Sequence, residues 1–269
     1  MTHTEQDIDT PAEITAPPTK QGGVRGFLQT LGPGLITGAA DDDPSGIGTY
    51  SQAGAQLGYG ISWTMLLTLP LMVAIQEISA RVGRVTGHGI AGNACRYYPA
   101  SILNIVIVLL FVANTVNIAA DLAAMADALK LLIGGPGFVY VVVFGVVSVS
   151  AQIFFDYQHY SAVLKWLTLS LFAYVGALAF AHVAWGQALH GLVVPQIQWK
   201  PEFFTTLVAI LGTTISPYLF FWQASQEAEE QRIDDHKEPL KKQGAHADSE
   251  FRRIRVDTIA GMGFSTLIA

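Results

Sequence analysis

Six apolar segments, each close to the length that a helix needs to cross a bilayer, and the start of a seventh constrain this chain more than any other feature. Their predicted bounds are 31–57, 61–80, 101–127, 137–155, 163–186, 203–226 and 256–269. Lipid offers the backbone no hydrogen bonds, so segments of this kind cross membranes as helices. Composition agrees, because only 13% of the residues are charged, whereas soluble domains have about a quarter. The sequence therefore predicts an all-α membrane protein.

The positive charges divide unevenly between the two sides of the predicted bundle. Thirteen of the fifteen Lys and Arg residues fall in the N-terminal tail or in loops on the same side, and only Lys130 and Lys200 fall on the other. Basic loops stay in the cytoplasm. We therefore expect an inner (plasma) membrane protein with a cytoplasmic N-terminus. This division requires 31–57 to cross the membrane; the alternative is a glycine-rich loop outside it.

The regions outside the apolar segments limit what else the chain does. Residues 1–24 are polar, which predicts a disordered cytoplasmic tail before a transmembrane domain over 25–269. Cys95 is the only cysteine, so an intrachain disulfide and a CxxC metal motif are excluded. The net charge of −6 argues against nucleic-acid binding. Because an apolar run is still continuing at Ala269, we expect an N-terminal fragment of a longer protein. We also expect the chain to lie in the lipid bilayer, to be a monomer and not to be an enzyme.

Three carboxylates and a proline, at 41–44, interrupt the first apolar segment. An ionisable group at membrane depth indicates function. Pro44 removes a backbone donor and disfavours helix at Asp43, which frees carbonyls such as that of Ala40. A bound cation would satisfy the carboxylate and these carbonyls together. The alternative is an ordinary helix start with Asp as N-cap and Pro at the first position, which leaves the preceding apolar residues unexplained.

A second interruption occurs at Ser216-Pro217, inside the segment 203–226. The interrupted segments are the first and the sixth, and two such breaks five segments apart are typical of inverted repeats with a binding site near the bilayer midplane. A proline kink without any ligand role is the alternative for this second interruption.

These residues resemble the Nramp family of divalent-metal transporters, which has the leucine-transporter-type fold of inverted five-helix repeats. The resemblance covers about 25–269, which is the family's first six helices and the start of the seventh. The family's Asp-Pro-Gly-Asn in the first broken helix matches Asp43, Pro44, Ser45 and Gly46. Its Met-Pro-His-Asn in the sixth helix matches Ser216, Pro217, Tyr218 and Leu219, and its third-helix Asp matches Asp121.

The chain departs from the family pattern at positions that matter for chemistry. The metal-binding Asn is Gly46, the metal-binding Met is Ser216, and the two sixth-helix histidines are Tyr218 and Gln223. An acidic third-helix position is Ala124. A thioether is a soft ligand, so its loss favours hard ions bound by oxygen. This pattern resembles the divergent Nramp-related magnesium transporters, and the smaller side chains leave room for the waters that Mg²⁺ retains.

We therefore predict transport of a divalent cation, Mg²⁺ and/or Mn²⁺ rather than softer metals, with no resident cofactor. The candidate metal ligands come from the two interrupted helices and are Asp43, Ala40, Thr213, Ser216, Ser45 and Gly46. The candidate ion or proton path contains Asp42, Asp121, Asp127, Tyr218 and Gln223. Asn114 and Asn117 are predicted to be interhelical hydrogen bonders, and Glu77 to pair with Arg81.

Loss of both histidines and of one third-helix carboxylate predicts weak or absent proton coupling. Three alternatives stay open. The first is proton-coupled Mn²⁺ or Fe²⁺ uptake, as the family resemblance implies. The second is an organic-solute carrier of the same fold, although three Asp residues would repel a carboxylate substrate. The third is a membrane enzyme with an Asp-rich metal site for phosphorylated substrates, although no Lys or Arg lies beside 41–43.

Overall fold

The computed structural model describes residues 32–154, 163, 167–233, 240 and 247–269, and every regular element in these ranges is helical. The α-helices are α1 Pro33–Asp41, α2 Pro44–Leu57, α3 Trp63–Thr86, α4 Ile90–Tyr97, α5 Ala100–Ile133, α6 Gly137–Phe154, α7 Phe172–Phe180, α8 Trp185–Val193, α9 Pro201–Thr214, α10 Pro217–Ile233 and α11 Ala247–Ile268. Short 3₁₀ helices cover Gly58–Ile61 and Thr168–Leu171. The predicted tail over 1–24 lies outside the described residues.

Four helical runs in the described residues are long and apolar enough to cross a membrane, which makes this a multi-pass membrane protein. They are α3, α5, α6 and the run Pro201–Arg232 that contains α9 and most of α10. The segment predicted over 31–57 does not qualify because it is divided into helices of 9 and 14 residues. The segment predicted over 163–186 is only partly described, and Leu169–Phe180 forms a shorter apolar helix there.

The last helix begins earlier than its hydropathy predicts. We expected a helix from about Val256, whereas α11 begins at Ala247. Its first turn carries Asp248 and Glu250, and acidic side chains stabilise a helix N-terminus. Hydropathy marks where a helix enters lipid, so it does not detect this charged first part.

The first interruption has well-defined helix ends. Helix α1 ends at Asp41, and Asp42 adopts a non-helical conformation with φ −85° and ψ 44°. Asp43 is extended, and Pro44 is the first residue of α2. Proline has no N–H to donate and disfavours helical conformation at the preceding residue, which favours the break at this point. The second interruption is similar, with Ile215 and Ser216 between α9 and Pro217 of α10.

Glycines allow the helices around the first interruption to pack backbone against backbone. A Cβ atom on Gly38 of α1 would lie 2.7 Å from the Cα atom of Gly261 in α11. A Cβ atom on Gly83 of α3 would lie 3.0 Å from the carbonyl carbon of Ala224 in α10. Helices α1, α3, α10 and α11 therefore form the closely packed part of the bundle. By contrast, α5 and α6 expose many large apolar side chains, as lipid-facing helices do.

Candidate metal site

Asp43 lies at the interruption and caps the helix that follows it. Its Oδ1 accepts a hydrogen bond of 2.6 Å from the backbone N–H of Gly46, and Pro44 occupies the first helical position. The Asp N-cap followed by Pro is the ordinary helix start that is the alternative interpretation of this sequence. The cap and the interruption coexist, however, because a helix also runs directly into this point from the other side.

The Asp43 carboxylate joins three helices. Its Oδ2 accepts hydrogen bonds from the Tyr218 hydroxyl of α10, at 2.8 Å, and from Asn117 Nδ2 of α5, at 3.0 Å. The Ser45 hydroxyl lies 2.8 Å from Asp43 Oδ1. Tyr218 belongs to the first turn after the second interruption, so the carboxylate of one interrupted helix contacts the other. The Tyr218 hydroxyl also lies 3.4 Å from the carbonyl oxygen of Ala40.

A second carboxylate, that of Asp121 on α5, belongs to the same network. Its Oδ1 accepts a 2.9 Å hydrogen bond from the backbone N–H of Ser45, and its Oδ2 accepts one of 3.2 Å from Asn117 Nδ2. The Asn117 amide therefore donates to both Asp43 and Asp121. Asn117 and Asp121 are four residues apart, so they lie on the same face of the helix.

Gly46 is surrounded closely by oxygen atoms. A Cβ atom on Gly46 would lie 3.0 Å from the carbonyl oxygen of Asp41, 3.1 Å from Asp43 Oδ1 and 3.4 Å from Thr213 Oγ1. These three oxygens come from both interrupted helices. A side chain at this position would press against these oxygens, whereas glycine allows them to approach the start of α2 closely.

On its other side, Asp43 lines a cavity of about 250 Å³. The remaining lining residues are Ala40, Asn114, Asn117, Ile118, Asp121 and Tyr218. A water molecule takes about 30 Å³ in the liquid, so a cation with several waters has room here. The described residues contain no group of three or more His, Cys, Asp or Glu side chains placed to hold a metal. A cation at Asp43 would therefore depend largely on neutral oxygens.

A family model described as Natural resistance-associated macrophage protein-like, or Nramp, matches residues 34–269. The chain belongs to the Nramp family. The Nramp match begins in α1, includes both interruptions and continues to the end of α11. The resemblance expected from Asp43-Pro44 and Ser216-Pro217 is thus confirmed.

Similar proteins are metal transporters by name. The Divalent metal cation transporter MntH of Burkholderia ambifaria is 29% identical over 227 residues, which cover 78% of this chain and 49% of that protein. The MntH protein of Deinococcus radiodurans is 28% identical, over 98% of this chain and 59% of its own length. The chain thus spans about half the length of the curated relatives it matches.

Among solved structures, the manganese transporter of Eremococcus coleocola matches with a TM-score of 0.75 and 20% sequence identity. The match covers 97% of this chain and 53% of that transporter. The expected fold is confirmed: the chain has the leucine-transporter-type helical bundle of Nramp proteins, as far as the part of the bundle that it contains.

Two other candidates implied by the Nramp resemblance form hydrogen bonds with groups other than the Asp43 carboxylate. The Ser216 hydroxyl donates to carbonyls of its own helix, at 2.6 Å to Thr213 and 3.1 Å to Gly212. Gln223 is fully buried and joins Thr37 of α1 to Thr258 of α11, through hydrogen bonds of 3.2 and 3.1 Å. The metal-ligand role of Ser216 and the path role of Gln223 stay predictions.

The two remaining path candidates differ in their surroundings. Asp127, on the α5 helix of this Nramp chain, is exposed and makes no hydrogen bond or ion pair with any described residue. Asp42 is buried beside Ser265 of α11 and lines a different cavity from Asp43. Their roles in an ion or proton path stay predictions. The predicted ion pair between Glu77 and Arg81 is present.

Asp257, which was not among the residues predicted from the sequence, holds the beginning of the first interrupted helix. This buried α11 carboxylate accepts hydrogen bonds from the backbone N–H groups of Gly32, at 2.8 Å, Gly34, at 2.7 Å, and Leu35, at 3.1 Å. Gly32 is the N-cap of α1 and has no side chain with which to cap it. A signal existed in the sequence, because Asp257 is an isolated carboxylate at the start of an apolar run.

Proposed function

We propose that this chain forms the substrate-binding part of a transporter that moves divalent metal cations across a membrane. The observation that carries the proposal is the contact between the two interrupted helices: Asp43 of the first accepts a 2.8 Å hydrogen bond from Tyr218 of the second. A cation bound there would touch both inverted repeats, so movement of one repeat against the other would change its access to each side. The names of the Nramp relatives support the same substrate class.

Asp43 is the central ligand of the proposed site. The carbonyl oxygens of Ala40 and Thr213 and the hydroxyls of Ser45 and Ser216 are the neutral candidates. Each carbonyl oxygen has two lone pairs, so Thr213 can bind a cation while it accepts from Ser216. Asp121 adds a second negative charge through its shared donor, Asn117.

Within this class we propose a preference for hard cations, Mg²⁺ and/or Mn²⁺. Every candidate ligand is an oxygen, and the described part of the site offers no thioether, thiolate or imidazole among its lining residues. Mg²⁺ holds its waters strongly and usually binds through one or two carboxylates. A cavity of about 250 Å³ beside Asp43 and Asp121 suits such a partly hydrated ion.

Proton-coupled Mn²⁺ or Fe²⁺ uptake is the second candidate function, because Asp121 is retained and lies in the Asp43 network. We nevertheless propose weak or absent coupling, since the two sixth-helix histidine positions hold Tyr218 and Gln223. We propose an inner (plasma) membrane location with a cytoplasmic N-terminus, from the distribution of basic residues. We also propose that the protein is a monomer.

Uptake into proteoliposomes tests this proposal, using the protein as its gene encodes it. Mg²⁺ should be transported or should compete with Mn²⁺, and Asp43→Asn should abolish both effects. Asp248→Asn is the matched control, because Asp248 is an exposed carboxylate far from the interruption in sequence. Transport of Cd²⁺ or Fe²⁺ without any effect of Mg²⁺ would reject the hard-ion preference. Acidification driven by the metal would reject weak coupling.

A further inference from the structure

Asp41 and Asp42, the first two carboxylates of the interruption, are directed away from the Asp43 network. Both are buried, with 2% and 6% of their surface exposed. They face α11, where the Ser265 hydroxyl lies 2.8 Å from Asp41 Oδ2 and 3.3 Å from Asp42 Oδ1. The two carboxylates therefore meet at one hydroxyl group of α11, whereas the Asp43 carboxylate contacts α5 and α10.

This arrangement has fewer donors than the two carboxylates require. Ser265 carries a single hydroxyl proton, so it can donate fully to only one of the two oxygens that it faces. Asp41 Oδ1 and Asp42 Oδ2 are both buried and have no hydrogen-bond partner among the described residues. None of the ion pairs formed within the described ranges involves either carboxylate. Burying negative charge in this way is costly unless a positive charge compensates it.

A cavity lies next to this pair. Asp42 lines a space of about 200 Å³ together with Ala40, Ser170 and Trp222. Ala40 also lines the cavity of Asp43. The two cavities therefore share one lining residue of the interrupted helix.

Asp41 belongs to both regions, because its backbone lies near the Asp43 site and its carboxylate belongs to the pair at Ser265. Its carbonyl oxygen and Asp43 Oδ1 both lie close to Gly46, whereas its carboxylate contacts Ser265 of α11. An ion on one side would thus affect the geometry of the same residue that binds on the other.

We propose that Asp41, Asp42 and Ser265 form a second binding site for a divalent cation, adjacent to the site at Asp43. Two carboxylates and a hydroxyl provide only oxygen ligands, which suit a hard ion such as Mg²⁺ or Mn²⁺. One divalent charge compensates both carboxylates, and the cavity at Asp42 has room for the waters that complete the coordination shell. The identity of the ion rests on the proposed function, but the existence of the site does not.

Mn²⁺ binding, followed by the loss of the electron paramagnetic resonance signal of free Mn²⁺, tests the site. The measurement uses purified protein as its gene encodes it, in detergent. The wild type should bind one ion at Asp43 and another at the Asp41–Asp42 site. The double variant Asp41→Asn/Asp42→Asn should lose the second ion and keep the first. The control Asp248→Asn should bind as the wild type does.

A single variant protects the test against misfolding. Asp42→Asn retains the 2.8 Å contact between Asp41 and Ser265, so it disturbs the packing least. It should weaken the binding of the second ion about tenfold or more, because one charged ligand is lost. An unchanged Mn²⁺ stoichiometry and affinity in both Asn variants would overturn the inference.

The variant Asp43→Asn separates this inference from the proposed function. If it binds Mn²⁺ as the wild type does while Asp41→Asn/Asp42→Asn loses an ion, the function proposed for Asp43 fails and the second site stands. If Asp43→Asn loses the only bound ion, the second site fails and the proposed function stands.

Discussion

Asp257 offers a direct test of how the first interrupted helix is held against the bundle. Its carboxylate is 1% exposed and accepts three backbone N–H groups at the beginning of α1, from Gly32, Gly34 and Leu35. The negative charge also lies at the positive end of the α1 dipole. We expect Asp257→Ala to release α1 from α11, and Asp257→Asn to release it partly.

The magnitudes follow from the hydrogen bonds that each variant loses. With Ala, three buried N–H groups lose their acceptor at a cost of about 1 kcal/mol or more each, so docking of α1 weakens by about 3 kcal/mol. Since about 1.4 kcal/mol corresponds to a factor of ten, the undocked fraction should rise about 100-fold. Asn can keep both bonds to Oδ1 and loses the one from Gly34. Its undocked fraction should therefore rise only about fivefold.

Thiol labelling measures this fraction. Ile36→Cys places a thiol at a position of α1 that is 3% exposed, in a Cys95→Ser background because Cys95 is exposed. The labelling rate should increase from the wild type through Asp257→Asn to Asp257→Ala. Asp248→Ala, at an exposed position in the first turn of α11, the helix that contains Asp257, should leave the rate unchanged. Equal rates in the wild type and Asp257→Ala would refute the view that this carboxylate anchors α1.

Two further predictions concern thermal melting in detergent. Gly261→Ala should lower the melting temperature by an amount equivalent to about 1–3 kcal/mol, because its Cβ atom would lie 2.7 Å from the carbonyl carbon of Gly34. The control Gly263→Ala should leave the melting temperature unchanged, because its Cβ atom would have no atom within 4 Å. Equal melting temperatures for the two variants would contradict the close packing. Arg253→Met should lower the stability by about 3–5 kcal/mol, because it leaves Glu227, only 1% exposed, without its 2.6 Å partner. Adding Glu227→Gln should restore most of the lost stability. No recovery in the double variant would contradict this explanation.

The sequence was most informative where a residue type is costly in lipid. Asp43-Pro44 and Ser216-Pro217 interrupt apolar runs, so both interruptions could be predicted from backbone chemistry alone. The helix ends were less predictable. Charged turns such as the one at Asp248 continue a helix beyond the bilayer without any hydropathy signal.

Contacts between distant helices were the least predictable part of the site. Asn117 was expected to form interhelical hydrogen bonds, but its position between Asp43 and Asp121 depends on how α5 packs against the interruption. Asp257 lies 225 residues from Gly32 along the chain. No local pattern specifies such a pair. Family resemblance identified Tyr218 by alignment, whereas its contact with Asp43 required the structure.

The different directions of the three consecutive carboxylates could not be derived from the sequence either. Asp43 faces α5 and α10, whereas Asp41 and Asp42 face α11. The non-helical conformation of Asp42 and the extended conformation of Asp43 produce this divergence. The sequence could show only that such a run is costly at membrane depth.

Isothermal titration of Mg²⁺ and Mn²⁺ into the wild type and Asp43→Asn tests the central claim most directly. Asn keeps the size of the side chain and an oxygen that can cap α2, but it removes the negative charge that meets the cation. We predict saturable binding to the wild type that is weakened about tenfold or more by Asp43→Asn, and unaffected by Asp248→Asn. Identical isotherms for the wild type and Asp43→Asn would contradict the assignment of the interruption as the cation site.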